Sequence, residues 1–146
     1  MILDSSWLLI SGRTFPSRLV FDTGKFKKVA VVQAAIEASA PPIVTVAVRH
    51  VNIFGRDESL LDYLDADKYK LLPNTAGCYT ADEAVRTAHF AREIGMEDWI
   101  KVEVVDDRRT LHPDVAATVE ATGRLVKDGF AVLSSTSDDN VAAMRW

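Results

Sequence analysis

Cysteine is nearly missing from the 146 residues: Cys78 stands alone. That excludes an internal disulfide and fits a reducing compartment. Basic charge is in deficit, with 17 Lys and Arg against 21 Asp and Glu and a formal net charge of −4. With no cluster of Lys or Arg as well, a nucleic-acid or acidic-lipid surface is not expected. No apolar run approaches the roughly 20 residues that a membrane-spanning helix requires. Residues 1–7 lack a basic region followed by a long apolar core, so neither a span nor a signal peptide is expected, and the expected compartment is the cytoplasm. Glycine-rich dinucleotide fingerprints are absent, and Thr23-Gly24-Lys25 lacks the upstream glycine and following hydroxyl residue of a phosphate-binding loop. His50, His89 and His112 are scattered without ligand-like spacing, so no metal and no cofactor are expected.

What the chain does have is ordinary for a folded protein: 48% apolar and 26% charged residues over a length that makes one domain, 1–146, with a sizeable core. Leu8-Leu9-Ile10 and Arg13-Thr14-Phe15 flank Ser11-Gly12 as a small hairpin, and 17–21 reads as a first core strand. Residues 25–39 carry Val29, Val32, Ala35 and Ile36 at helical spacing until Pro41-Pro42 stops them. A second buried strand covers 43–49, a short helix 58–64, and a third strand 70–73 runs into Asn74. Thr80 with Glu83 three residues on is a capping-box signature for a helix ending at Gly95. Residues 113–127 form a helix with Pro113 in its first turn and Gly129 past its end; 130–133 is a fifth strand, and another helix starts at Asp138. Strands alternating with helices predict a parallel α/β fold, either doubly wound or a (βα)8 barrel.

The chain is organised around Trp99-Ile100-Lys101-Val102-Glu103-Val104-Val105. Side chains alternate along a strand, so Ile100, Val102 and Val104 share one face while Trp99, Lys101, Glu103 and Val105 share the other. In a parallel sheet covered by helices, central strands are buried on both faces, and a buried lysine and glutamate then need a reason. One reading is catalytic. A lysine in a low-dielectric interior has its ammonium form disfavoured, which supplies the neutral amine that attacks a carbonyl. Glu103 lies roughly 6 to 7 Å along the strand, close enough to serve the same small substrate as general acid and base. The other reading is a structural buried pair. Arg49 and Asn74, at the ends of strands two and three, are expected at the mouth of a barrel, either orienting substrate or satisfying loop backbone. Cys78, before a helix start, reads as a packing residue or as a thiolate held by the helix dipole.

The run Leu71-Leu72-Pro73-Asn74-Thr75-Ala76-Gly77-Cys78-Tyr79-Thr80-Ala81-Asp82-Glu83, followed by Trp99-Ile100-Lys101-Val102-Glu103-Val104, resembles bacterial thiazole synthase of thiamin biosynthesis. Phe15-Pro16-Ser17-Arg18-Leu19, Ile43-Val44-Thr45-Val46-Ala47-Val48-Arg49, Ala88-His89-Phe90-Ala91-Arg92-Glu93 and Asp128-Gly129-Phe130 extend the resemblance over nearly the whole chain. It implies a (βα)8 barrel of the TIM type, of which this chain supplies about the first five strands, since such barrels need about 250 residues. It implies that Lys101 forms a Schiff base with 1-deoxy-D-xylulose 5-phosphate and that Glu103 shuttles protons. Sulfur would arrive on the thiocarboxylate of a ubiquitin-like sulfur carrier protein, and an imine of glycine would complete the ring. Phosphate-binding residues and a second acid-base aspartate are expected in the later half, so the chain alone is expected to be inactive. Asp22 stands where the family usually has glycine. An open half-barrel is also expected to self-associate as a homo-oligomer. The competing reading is a non-catalytic interaction module that uses that open edge.

Overall fold

The computed structural model describes residues 7–24, 26, 28–51 and 60–145. Residues 1–6, where no signal peptide is expected, lie outside them, as do Lys25, Lys27 and the first two residues, 58 and 59, of the expected helix at 58–64. Among the described residues there are two sheets: a hairpin, β1 (Leu8–Ile10) with β2 (Arg13–Phe15), and a five-stranded sheet. The larger sheet takes β3 (Val20–Asp22), β4 (Ile43–Ala47), β5 (Lys70–Asn74), β6 (Trp99–Val102) and β7 (Ala131–Ser134) in chain order. Pairing is parallel for β3 with β4, β5 with β6 and β6 with β7. A doubly wound sheet reverses its strand order at a switch point, whereas a barrel adds each strand beside the last. The unbroken order fits the barrel type, here an unclosed portion of one.

The chain divides into two compact units, residues 1–46 with 51–71, and residues 47–50 with 72–146. In the first, the hairpin turn places Ser11 (φ 46°) and Gly12 (φ 76°) in the left-handed region, as a two-residue turn matched to strand twist requires. Helix α1 (Val29–Ser39) lays Val32 and Ile36 on Val44 and Val46 of β4, and Leu64 and Tyr69 complete that core. The expected strand 17–21 is shorter and displaced. β3 begins at Val20, which is exposed, because an edge strand has a neighbour on one side only. Asp22 Oδ1 accepts from Gly24 N at 2.7 Å, so this carboxylate closes a local turn. Within the short helix expected at 58–64, Leu60–Tyr63 is a 3-10 helix.

The second unit holds the denser core. Helix α2 (Ala81–Glu93) presents a row of small residues, Ala81, Ala84 and Ala88 with Val85, so it sits close to the sheet. Helix α3 (Val115–Lys127) adds Ala121 and Leu125, and both meet Ile100, Val102 and Val104, each 0% exposed. Thr80 caps α2 by accepting from Glu83 N at 3.2 Å. The Glu83 carboxylate accepts from Tyr79 N at 2.7 Å, one residue beyond the usual capping-box partner, the N–H of the cap residue itself. The start of α3 differs from the expectation. Asp114 is the cap, accepting from Ala117 N at 2.9 Å, while Pro113 stays outside in an antiparallel bridge to Val105. Gly95 and Gly129 (both φ 87°) end α2 and α3 as expected. A short helix α4 (Asn140–Ala143) follows β7. No helix of the described residues is long and apolar enough to cross a membrane.

Candidate active site

The helix-covered face of β6 fixes where Lys101 goes. With Ile100, Val102 and Val104 under α2 and α3, Lys101 and Glu103 project from the opposite face, as the alternation predicts. Neither is fully buried, however. Trp99, Lys101 and Glu103 are each half-buried, so the second face of β6 is not enclosed as a central barrel strand's would be. Lys101 and Glu103 make no ion pair with each other or with any described residue, which leaves an amine and a carboxylate free to engage the same small molecule.

Neighbouring strands hold this pair in place. Asn74 stands opposite Lys101 in the parallel register, with Leu133 opposite on the other side, so all three share a face. Thr75 N donates to Lys101 O at 3.1 Å. The fully buried Thr75 hydroxyl accepts from Glu103 N and donates to Glu103 O, both at 2.8 Å. One hydroxyl therefore takes the place of two ladder bonds where β6 ends, and the Glu103 backbone cannot rotate without stranding it. Thr75→Val should leave both Glu103 backbone groups unsatisfied and cost about 1–3 kcal/mol by urea denaturation, while Thr75→Ser retains most of the stability. Residue order alone pointed to no role for Thr75, because its partner is 28 positions away.

Asn74 is 4% exposed, and its Oδ1 accepts from Ala76 N at 3.1 Å, closing the turn after β5. Its amide Nδ2 makes no hydrogen bond among the described residues, so it retains two donors on the Lys101 face. Arg49 is placed differently from the expectation. β4 ends at Ala47, and Val48–His50 is a 3-10 turn, so strand alternation does not extend to Arg49. Its guanidinium lies across Gly77 and, with Val48, Arg86, Thr87 and Phe90, lines a groove of about 270 Å³ beside α2. The structure thus brings Lys101, Glu103 and Asn74 to one face and sets Arg49 on the helix side.

Cys78 is 4% exposed and belongs to the core against α2. Burial pushes its thiol above the ordinary value, partly offset by the Thr87 hydroxyl at 3.4 Å and by the Arg49 charge. It is the packing residue of the two readings. His89 Nε2 pairs with Asp128 Oδ2 at 2.9 Å, His50 and His112 are exposed, and no group of three or more potential metal ligands exists among the described residues.

Comparison with known proteins then sets this geometry in a family. The model of the thiazole biosynthesis protein ThiG matches residues 9–146. A thiazole synthase from Solibacter usitatus is 55% identical over 142 residues, which are 97% of this chain and 55% of that protein. One from Geobacter metallireducens is 56% identical over 92% of this chain and 52% of its own length. One from Aquifex aeolicus is 49% identical over 99% of this chain and 55% of its own. This chain therefore spans about half the length of the curated relatives it matches. Among solved structures, the Amycolatopsis orientalis BexX/CysO complex superposes with a TM-score of 0.76 at 27% identity, over 97% of this chain and 58% of that one. The chain belongs to the ThiG family of thiazole biosynthesis proteins.

Proposed function

We propose that this chain carries the lysine half-site of a thiazole synthase, the enzyme of thiamin biosynthesis that builds thiazole phosphate. The observation that supports this most is the placement of Lys101 and Glu103 on the uncovered face of β6, without ion-pair partners, in a chain of this family. Lys101 Nζ, as the free amine, adds to the ketone carbon of 1-deoxy-D-xylulose 5-phosphate; the carbinolamine then loses water to give an iminium. The iminium acidifies the adjacent C–H, whose proton passes to Glu103 and is returned to a neighbouring carbon. Asn74 Nδ2 donates to a substrate hydroxyl on the same face. Sulfur is delivered by a small sulfur carrier protein. The BexX/CysO complex supports that pairing by likeness of fold. An imine of glycine completes the ring.

The described residues account for the imine and proton-exchange stages of that reaction. Among the described residues the outer edges of β3 and β7 carry no strand partner, which would favour association into a homo-oligomer. The reading is tested by proton exchange. In deuterium oxide the α protons of 1-deoxy-D-xylulose 5-phosphate should exchange faster with this chain than with buffer, by NMR. Lys101→Arg should bring the rate back to the buffer value, because a guanidinium stays charged and cannot attack. Exchange that persists in Lys101→Arg would exclude lysine-imine chemistry.

A further inference from the structure

Among the described residues, the groove beside α2 is lined by two cations and no anion. Arg49 reaches it from the 3-10 turn after β4, and Arg86 reaches it from the middle of α2. Neither guanidinium has a hydrogen bond or an ion pair among the described residues. Arg92 holds Asp98 at 2.7 Å, and Arg124 holds Asp82 at 2.6 Å. Among the described residues no carboxylate lines the groove; on α2, Glu83 is engaged with Tyr79 N, and Asp82, whose charge also reaches Arg86, is held by Arg124.

Arg49 lies against the β5–α2 turn. Gly77 has φ 80°, and a methyl group there would overlap the Arg49 guanidinium, so the missing side chain is what lets the planar group lie against the β5–α2 turn. Thr87 and Phe90 complete the groove; Thr87 brings a hydroxyl, and Phe90 is 39% exposed. Two unpaired guanidinium forks offer bidentate donors to a tetrahedral oxyanion, and the aromatic wall suits a short carbon portion. The volume of about 270 Å³ lies just below the range typical of drug-sized ligands, so it fits a small metabolite.

We infer that this groove binds a phosphate monoester, with the phosphate between Arg49 and Arg86 and the carbon portion against Phe90. The site lies on the helix side of the sheet, and Lys101 projects from the other face, so it is distinct from the proposed imine site. The probe is glycerol 3-phosphate, titrated into the full chain and followed by calorimetry and by arginine side-chain NMR, with inorganic phosphate in a parallel arm. Saturable binding should weaken about tenfold or more in Arg49→Ala and again in Arg86→Ala. Gly77→Ala, which keeps both charges but displaces Arg49, should weaken it too. Arg92→Ala, with circular dichroism to confirm folding, and Lys101→Arg should leave it unchanged. Phe90→Ala should erase the preference for glycerol 3-phosphate over inorganic phosphate. The inference is overturned by absence of saturable binding, by binding indifferent to both arginine variants, by equal affinity for the two probes, or by loss of binding in Lys101→Arg.

Discussion

Ile100→Ala should destabilise the protein by about 2–5 kcal/mol, whereas Lys101→Met, one residue along the same strand, should change stability by no more than about 0.5 kcal/mol. The contrast follows from facing. Ile100 is 0% exposed among Ala84, Ala88, Ala121 and Leu125, so truncation removes buried methyl groups and leaves a void between two helices that already pack through small side chains. Lys101 is half-buried and makes no ion pair among the described residues, so methionine keeps most of its stem contacts and loses no partner. Equilibrium urea unfolding of the two variants is the check, with equal m-values confirming that stability rather than compactness has changed. A Lys101→Met variant as damaged as Ile100→Ala would mean that the lysine is structural.

Glu103→Gln should slow exchange of the substrate α protons by about 10² to 10⁴-fold, the usual contribution of a positioned acid or base. Imine formation should survive. Glutamine cannot accept the proton, yet it keeps the size of the side chain, and the Thr75 clamp acts on the Glu103 backbone, which the substitution does not touch. The split between the two readouts identifies Glu103 as the proton carrier rather than a group that merely holds the strand. Equal loss of both would assign it a positioning role.

The facing of β6 was legible because the strand period is two and its apolar set, Ile100, Val102 and Val104, is unbroken. The start of α2 was legible because Thr80 and Glu83 carry their own local chemistry. What escaped was set by partners far away in the chain. Arg49 looks like the last residue of a strand until β4 gives way to a 3-10 turn at Val48, and nothing local announces that Gly77 has left room for its guanidinium. Pro113 suits the first turn of a helix, but Asp114 is a better cap, and the proline is used in a bridge to Val105. Enclosure of Lys101 was inferred from a parallel sheet covered on both faces, and its face of β6 is only half-buried.

The most direct test of the account is where borohydride fixes the substrate. The chain is incubated with 1-deoxy-D-xylulose 5-phosphate, reduced, and examined by intact mass and then by peptide mapping. Reduction converts the iminium to a stable secondary amine, so the adduct records which nitrogen attacked. The account predicts a weak, single adduct on the peptide that contains Lys101, absent from Lys101→Arg and retained in Glu103→Gln. Label spread evenly over surface lysines and unchanged in Lys101→Arg would contradict it and leave an open-edged interaction module as the better description of this chain.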